Sequence, residues 1–587
     1  LVGSEMCIRD RLHSACLCAT IILYFNIRGG SIMSKKIFKK SFSVILSLVL
    51  MFSCVAPSFA ANKVCNCGKN PMLVISGFSQ YLLVDTKTGK SVWAPEAETI
   101  TKAVEKALPS LTTLLASKRT RADFDKFCDE FIPIVNEVLD PIACSPDGTP
   151  KHRNVEIIEQ FTQPVSSYDY AYVKEIFNND IVDVACEAVG KDHVWVYGLD
   201  WRVDPLILAD EIHEYIENIK KTSGHDKISI SGISMGGVIM SAYLAKYGYD
   251  DLSNITMLSS AYTGLEMVGK LFMGDVSIDA PGLYNILSDV LGTDKVSTVL
   301  SSTGIVEKII PILGDLFKYN KDRIYEDCLI PAFGYTTGFW AFVPESCYNS
   351  ARTYMFMRMS DGTVQQKKTL KNRIDDYHYN VQSKIASILK SAQADGICVS
   401  VVSHYNLQNS PVTSAASLMG DQVIETIHTS GFATVAEYGK TLDIAKKAPH
   451  VSFDRVIDAR TAYLPDNTWF IKNMKHVEYS NKGANDNGEF FKWILTAAPD
   501  TNIYSNAKYP QFMNYDRNTH TLSPLSGADG DVNADGRISL FDAKLVLRSV
   551  AEMTTLDEQQ VWAADMNCDG AVSVADAKSI LVYIAAN

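Results

Sequence analysis

A serine flanked by glycines is the residue of this chain best placed to act as a nucleophile. Ser234 lies in the run Gly232-Ile-Ser-Met-Gly-Gly, which follows a predicted strand at 228–231 and precedes a helical segment at 238–246. At a sharp turn from strand to helix, a serine presents its hydroxyl at the edge of a sheet, and small neighbours relieve the crowding around it. The context predicts nucleophilic attack on a carbonyl carbon. A glycine-rich turn with no catalytic role is the alternative interpretation.

An acid and a base are expected after this serine, in the chain order Ser, acid, His. Asp421 follows the apolar segment 397–402 by about twenty residues and is the preferred acid. Asp361, in Ser-Asp-Gly-Thr-Val, is the rival acid, but it precedes the strand that should carry this residue. His476 follows the strand-like run 468–472 and is the preferred base.

Two further histidines compete for the role of base. His404 and His428 lie before the acid or too close to it in the chain. In the preferred arrangement Ser234 attacks the carbonyl, His476 transfers the proton, and Asp421 orients the imidazole.

An oxyanion hole requires two backbone N–H groups aimed at the developing negative charge. One is expected from Met235, directly after the nucleophile. The other is expected from Phe78, in the Gly77-Phe78 loop after the apolar segment 71–75.

These residues need a framework of buried parallel strands joined by helices. Segments typical of such strands lie at 71–75, 194–197, 227–231, 255–258 and 397–402. Residues from about 265 to 390 interrupt the strand pattern and read as a mainly helical cap. The aromatic run 333–342 within it either lines an acyl pocket or packs in a core of the cap itself.

Four motifs resemble the lecithin:cholesterol acyltransferase-like and lipase branch of the α/β hydrolases, over about residues 70–500. They are the Gly77-Phe78 loop, Leu199-Asp200-Trp201-Arg202, the run 232–237 and the late His476. The stretches 420–424 and 469–476 are also similar to the acid motif and the final histidine loop of that family. The resemblance implies an α/β-hydrolase fold, a mostly parallel sheet with flanking helices and a helical cap insertion. Leu199 and Gly232 depart from the usual Tyr and His, which leaves the subfamily open.

An internal repeat near the C-terminus carries oxygen ligands at the spacing of a calcium loop. Asp-x-Asn-x-Asp-Gly occurs at 531–536 and again at 565–570, and each run continues to an Asp at loop position 12. Such ligands, with the position-7 carbonyl, surround a hard cation, and Gly at position 6 permits the turn. The predicted ligands are Asp531, Asn533, Asp535, Arg537 and Asp542 in the first loop, and Asp565, Asn567, Asp569, Ala571 and Asp576 in the second.

Each loop is followed by an apolar stripe of helical spacing, and the pair resembles a type I dockerin over about residues 527–587. The resemblance implies two Ca²⁺ ions, a small all-α module that folds with calcium, and binding to a cohesin domain of a scaffoldin. It also implies that loop positions 10 and 11 bind the partner: Leu540, Phe541, Val574 and Ala575. These side chains are apolar rather than Ser-Thr, so the cohesin class stays open. A calcium-stabilised domain without a partner is the alternative.

The N-terminal 60 residues carry a targeting signal. Residues 33–60 combine lysines, an apolar run and a small-x-small site, which predicts a secretory signal peptide, and the run is too short to span a membrane. Residues 1–32 are interpreted as a non-native leader. The remaining chain divides into a hydrolase domain (61–513), a linker (514–526) and the dockerin (527–587).

The net charge and the cysteines bear on the possible ligands and cofactors of the chain. A net charge of −12 gives no indication of nucleic-acid binding. The pairs Cys128–Cys144 and Cys328–Cys347 are candidate disulfides, although spacing alone does not decide. Cys65-x-Cys67 is too tightly spaced for most metal sites and reads as structural or incidental. Without a zinc, phosphate-loop or dinucleotide motif, calcium is the only cofactor expected, and none is expected for catalysis.

Together these patterns predict a secreted, extracellular serine carboxylic ester hydrolase, lipase- or esterase-like, held on a cellulosome-like complex. An acyltransferase would share every catalytic residue, and a non-catalytic cohesin-docked subunit would lack one of them. A peptidase on the same fold is a minor alternative. The substrate is an ester of a lipid or of the plant cell wall, and the sequence does not choose between them.

Overall fold

A large β-sheet forms the centre of the computed structural model, which describes residues 65, 67–177, 179–277, 305–409, 411–444, 450–479, 487–525, 527–567 and 570–586. All of them belong to one compact unit, Val64–Asn587. The predicted leader (1–32) and signal peptide (33–60) lie outside the described residues. No helix in the described part of the chain is both long and apolar enough to cross a membrane.

The strands are β1 (Met72–Ile75), β2 (Leu83–Asp85), β3 (Lys90–Trp93), β4 (Val155–Ile157), β5 (Val194–Tyr197), β6 (Ile228–Ile233), β7 (Leu252–Leu258), β8 (Cys398–Tyr405), β9 (Leu407–Gln408), β10 (Met419–Gly420), β11 (Thr434–Val435), β12 (Ile457–Asp458), β13 (Thr468–Lys472), β14 (Phe512–Asp516) and β15 (Thr521–Pro524). Eight of these form the central sheet, in the order β15-β14-β13-β8-β7-β6-β1-β5. All neighbours in it are parallel except β14 and β15.

The α-helices are α1 (Ala97–Ala116), α2 (Arg121–Leu139), α3 (Tyr170–Ile176), α4 (Ile181–Val189), α5 (Pro205–Ser223), α6 (Met235–Tyr247), α7 (Glu266–Phe272), α8 (Ile305–Ile324), α9 (Thr337–Trp340), α10 (Glu345–Arg358), α11 (Val364–Tyr377), α12 (Ile385–Ala394), α13 (Thr426–Thr429), α14 (Asn487–Leu495), α15 (Leu540–Val550), α16 (Glu558–Ala564) and α17 (Val574–Ala586). Two π-helical stretches, Tyr325–Gly334 and His378–Gln382, continue α8 and α11. Short 3₁₀ turns lie at Asp140–Ile142, Val165–Ser167, Lys191–His193, Ser414–Ser417, Ala459–Thr461 and Pro465–Asn467.

The sheet is covered on both faces, as expected of parallel strands built from continuous apolar runs. Successive residues of β1 point to opposite sides. Leu73 and Ile75 join the core that contains α5 and α6, whereas Met72 and Val74 join the core that contains α4 and α14. The observed fold is therefore a three-layer α/β arrangement around a mostly parallel sheet. The segment between β7 and β8, where a cap is predicted at about 265–390, contains α7 to α12.

The end of the predicted hydrolase domain differs from the sequence-based prediction. Residues 514–526 are predicted as a linker, but β14 and β15 extend the central sheet to Pro524. Met513, Tyr515 and Leu522 are buried, so this antiparallel edge contributes to the core. The burial alternates along a short and otherwise polar segment, and such a pattern resembles a linker in composition.

The C-terminal module packs its helices around a small apolar core. Val546 of α15 and Ile580 of α17 are fully buried in it. α16 precedes the second loop, so one loop has a short helix on both sides, which the sequence-based prediction of one helix per loop did not include.

Candidate active site and C-terminal module

Ser234 lies at the turn between β6 and α6, in a backbone conformation that few side chains adopt. Its φ and ψ are 52° and −117°. The glycines around it make the turn possible. A Cβ on Gly232 would lie 2.7 Å from the Gly237 nitrogen, and one on Gly236 would lie 2.5 Å from the Ile75 carbonyl oxygen. The strained turn thus places the Ser234 hydroxyl at the carboxyl edge of the sheet, where ligands of α/β folds bind.

Asp421 and His476 meet at the same edge. His476 Nδ1 lies 2.8 Å from Asp421 Oδ2, and the Asp421 side chain is fully buried. His476 Nε2 is buried and has no hydrogen-bond partner among the described residues. His476 and Ser234 both line one cavity. The free Nε2 is the atom that accepts a proton from serine in a Ser-His-Asp triad.

The Asp421 carboxylate is held in one orientation by its own loop. Its Oδ1 accepts hydrogen bonds from the Val423 amide at 3.0 Å and the Ile424 amide at 2.8 Å. The His476 amide donates to the Asp421 carbonyl at 3.1 Å. With Oδ1 occupied, Oδ2 is the oxygen left to orient the imidazole.

The rival acid and bases have other partners or face solvent. Asp361 is exposed in the turn between α10 and α11. His404 is fully buried, and its Nδ1 lies 2.9 Å from the Lys475 carbonyl; burial lowers its pKa to about 4, so its ring is neutral at pH 7. His428 Nε2 lies 3.3 Å from Glu266 Oε2. Among the predicted acids and bases, only Asp421 and His476 form a hydrogen-bonded pair, and His476 lines the same cavity as Ser234.

The two predicted oxyanion donors flank the nucleophile. Met235 is the first residue of α6, whose N-terminal amides have no intrahelical acceptor. Phe78 follows Gly77, whose amide donates to Gln80 Oε1 at 2.5 Å. A Cβ on Gly77 would lie 2.9 Å from the Ser234 Cβ, so only glycine lets this loop approach so closely. Gln80, which the sequence reading did not single out, fixes the loop.

A cavity of about 490 Å³ opens onto the serine and the histidine. Its walls are largely apolar: Phe78, Leu265, Met267, Val268, Phe339, Phe342, Val423, Ile424 and Val477. Phe339 and Phe342 come from the predicted aromatic run, and the Phe339 ring lies 5.5 Å from that of Phe78. Trp340 of the same run is fully buried against Phe272. The aromatic run therefore serves both the pocket and the packing of the cap.

The Leu-Asp-Trp-Arg motif packs against the loop that contains Phe78. Arg202 is completely buried, and its Nη2 donates to Asp200 Oδ2 at 2.6 Å and to the Val155 carbonyl at 2.6 Å. The Trp201 ring packs edge-on against Phe78 at 5.1 Å. The motif thus fixes the position of the predicted oxyanion loop.

The C-terminal loops gather carboxylates as a calcium site requires. In the first loop, Asp531 accepts from the Gly536 amide at 2.9 Å, and Asp542 accepts from the Asn533 amide at 3.0 Å. Burial and the neighbouring carboxylates raise the pKa of Asp531 well above its usual range. A divalent cation bound to oxygen ligands would relieve this repulsion, so the donor set fits Ca²⁺.

The second loop repeats this geometry. Asp565 accepts from the Gly570 amide at 2.9 Å, and Asp576 accepts from the Ser573 amide at 2.8 Å. The backbone at Gly570 has a φ of 89°, which glycine adopts readily. Asp569, a predicted ligand, lies outside the described residues. Arg537 and Ala571 occupy position 7 of the two loops, where the backbone carbonyl is the predicted ligand.

The predicted partner-binding residues are exposed at the first turns of α15 and α17. Leu540, Phe541 and Val574 expose 66%, 71% and 59% of their surface, and Ala575 is also exposed. Apolar side chains left this open at two equivalent positions suit a protein interface.

The C-terminal module also contacts the domain that contains the central sheet. The Arg517 amide donates to the Gly536 carbonyl at 2.9 Å, and Lys472 Nζ of β13 lies 2.6 Å from Asp529 Oδ2. The Lys472 ammonium also lies 3.9 Å from the centre of the Trp562 ring. None of these contacts was expected from the sequence, because they join residues far apart in the chain.

Comparison with known proteins identifies the C-terminal module. No curated protein matches the chain. A solved structure described as "The crystal structure of Tle4-Tli4 complex" is 11% identical, with coverage of 62% of this chain and 89% of that chain, but its TM-score of 0.25 is too low for the two sites to be compared. Residues 529–585 match the family model of the dockerin type I domain. The C-terminal module of this chain is therefore a type I dockerin.

Proposed function

We propose that the chain is a secreted serine carboxylic ester hydrolase of the α/β-hydrolase fold that its dockerin fastens to a cohesin-bearing scaffold. The observation that carries the proposal is the hydrogen-bonded pair of His476 and buried Asp421, with His476 and the strained Ser234 lining one cavity. A nucleophile, an oriented base and an acid in this order are the parts that acyl transfer through a serine requires.

The first half of the reaction acylates the serine. His476 Nε2 accepts the Ser234 Oγ proton as Oγ attacks the ester carbonyl carbon. The amides of Phe78 and Met235 stabilise the oxyanion of the tetrahedral intermediate. The intermediate collapses when the protonated His476 donates its proton to the alkoxy oxygen, which leaves as the alcohol.

The second half returns the free enzyme. His476 removes a proton from water, the hydroxide attacks the acyl carbon, and Ser234 Oγ leaves with that proton. Asp421 stays ionised throughout and stabilises the imidazolium. In an acyltransferase an acceptor alcohol would take the place of water; in an aqueous extracellular setting water is the acceptor at hand.

The acyl side of the ester is the side that the pocket recognises. The walls of the cavity carry apolar side chains from the cap and from the loop after Asp421, and the only polar side chains in it are Ser79, Gln80, Ser234 and His476 among the described residues. A surface of this kind gains free energy by removing an acyl chain or an aromatic acid from water. It offers few partners to the hydroxyl groups of a sugar.

The dockerin supplies attachment rather than chemistry. Ca²⁺ in the two loops would be held by carboxylate and amide oxygens and the two position-7 carbonyls, and it would stabilise the helices that present the partner-binding residues. Attachment to a cohesin scaffold and the signal-peptide-like segment 33–60 both support export from the cell.

Calcium removal should unfold the dockerin and leave the hydrolase sheet intact. When the free calcium concentration is about 1,000 times the Kd, each bound ion stabilises the folded module by about 4 kcal/mol. This corresponds to a change of about 10³-fold in amide protection. Hydrogen exchange on the full chain, with calcium and with a calcium chelator, measures this directly. We expect amides of α15 and α17 to lose protection while those of β6 and β7 keep it, and Asp565→Ala should halve the bound calcium. Unchanged protection in the chelator would contradict calcium-dependent folding.

The hydrolase proposal is tested by turnover of p-nitrophenyl esters of two to sixteen carbons by the mature protein. We expect hydrolysis by the wild type and a maximum at a chain length that the cavity accommodates. Phe339→Ala, which enlarges the cavity, should move this maximum toward longer chains. If no ester in the series is hydrolysed, the chain is better described as a non-catalytic cohesin-docked subunit.

A further inference from the structure

Two cysteines and two histidines meet at the edge of the central sheet opposite Ser234. One ligand atom from each of Cys65, Cys67, His193 and His225 lies within 4.8 Å of all the others. Cys67 Sγ is 3.1 Å from His193 Nε2 and 3.7 Å from His225 Nε2. The Cys-x-Cys pair alone is a weak signal, and the histidines that complete the cluster are 126 and 158 residues further along the chain.

The topology of the sheet brings these residues together. β1 has β5 and β6 as its two neighbours, and both pair with it in parallel. Each strand is preceded by part of the cluster: the cysteines before β1, His193 before β5 and His225 before β6. The amino ends of parallel strands lie at the same edge, so three separate segments converge there.

We propose that these four side chains form a structural Zn²⁺ site. Two thiolates and two imidazoles are a ligand set typical of tetrahedral zinc, and a closed set of four protein ligands leaves no position for substrate. With Zn–S of about 2.3 Å and Zn–N of about 2.0 Å, the ligand atoms of such a site lie about 3.3–3.8 Å apart. The two Cys67–histidine distances fall close to this range.

Neighbouring groups are placed to orient the ligands. Asp192 Oδ1 lies 3.1 Å from His193 Nδ1, which leaves Nε2 to face the cysteines. The Lys69 amide donates to Cys67 Sγ at 3.4 Å. The Cys65 amide donates to the Gly224 carbonyl at 3.1 Å, which holds the segment against the residue before His225. Carboxylates on the second histidine nitrogen and amides on the sulfur are common partners of metal ligands.

A second group of candidate ligands on the same domain lacks these features. His213, Glu217 and Asp251 also lie close together. Lys220 Nζ is 2.5 Å from a carboxylate oxygen of each of the two acidic residues, so a lysine already neutralises them. The His213 ring stacks on Tyr247 at 4.0 Å. This group is an ion-pair network and provides a matched control.

The zinc site would act on stability and not on chemistry. It would tie the segment before β1 to the loops before β5 and β6, whereas Ser234 follows the opposite end of β6. Zinc removal should therefore lower the unfolding temperature of the hydrolase domain and leave its kcat unchanged below that temperature.

Metal analysis of the full chain, purified in calcium-containing buffer without metal-affinity steps and loaded with zinc before dialysis, tests the site. We expect about one zinc per chain beside the calcium. Cys67→Ser and His193→Ala should each lower the zinc content at least about tenfold, because three ligands hold the ion much more weakly than four. His213→Ala should keep the full zinc content, and so should His225→Cys, which replaces one zinc ligand by another.

Three results would overturn the inference. They are a wild-type chain that retains no zinc, equal zinc in the wild type and in Cys67→Ser, and an intact mass two daltons below that of the reduced chain with the bond mapped to Cys65–Cys67. His225→Cys keeps four zinc ligands. If this variant loses zinc although it unfolds at the temperature of the wild type, that result also contradicts a four-ligand site. None of these readouts depends on ester hydrolysis.

Discussion

His476→Ala should lower kcat for ester hydrolysis by about 10⁴- to 10⁶-fold, the range found when the base of a serine triad is removed. The reason lies in the geometry of the imidazole: Nδ1 contacts Asp421 Oδ2, and Nε2 has no hydrogen-bond partner among the described residues. Without it no group in the described site accepts the proton of Ser234. Steady-state and burst kinetics with a p-nitrophenyl ester measure the effect.

A second histidine variant and added imidazole serve as controls for His476→Ala. His428→Gln removes a rival base that contacts Glu266, and it should change kcat by less than about tenfold if the protein stays folded. Added imidazole should restore part of the activity of His476→Ala, because a free base can enter the space that the side chain leaves. Full activity in His476→Ala would show that another residue is the base.

Asp421→Asn should lower kcat by about 10⁴-fold while the fold remains intact. Oδ1 of the aspartate accepts hydrogen bonds from two backbone amides. An asparagine must therefore keep its carbonyl oxygen on those amides and turn its NH₂ group toward His476 Nδ1. Nδ1 then becomes an acceptor, the proton moves to Nε2, and the imidazole can no longer accept a proton from the serine.

The matched control for this variant is Asp361→Asn. Asp361 belongs to a Ser-Asp-Gly-Thr-Val sequence that resembles an acid motif more closely, yet it is exposed in a turn between two cap helices. Its replacement should leave kcat within about twofold, as for most surface substitutions. A large loss in Asp361→Asn with full activity in Asp421→Asn would contradict the assignment of the acid.

Much of the framework follows from local sequence patterns. Strands β1, β5, β6, β7 and β8 lie at the short, mostly apolar segments that predicted them. The dockerin prediction is confirmed by the family match. It was possible from the sequence because the ligand spacing in each loop is set by the coordination of one ion. The strands β14 and β15 were missed because an edge hairpin with one buried face has the composition of a linker.

The sequence did not predict contacts between residues that only the order of the strands brings together. Gln80 is close to Gly77 in sequence, but its role depends on how near the loop approaches Ser234. Cys65 and Cys67 look incidental until the sheet places β5 and β6 on either side of β1 and brings two histidines to them. Lys472 reads as part of a strand, and its partner Asp529 lies in the other module. Pairings of this kind depend on strand order, which local patterns do not contain.

Active-site labelling tests most directly whether Ser234 is the nucleophile. The mature protein and Ser234→Ala are treated with a fluorophosphonate, which modifies activated serines covalently, and the adduct is located by peptide mass spectrometry. We predict a single adduct on Ser234, its absence in Ser234→Ala, and loss of ester hydrolysis in step with labelling. An adduct on another serine, or equal labelling of the two proteins, would contradict the account.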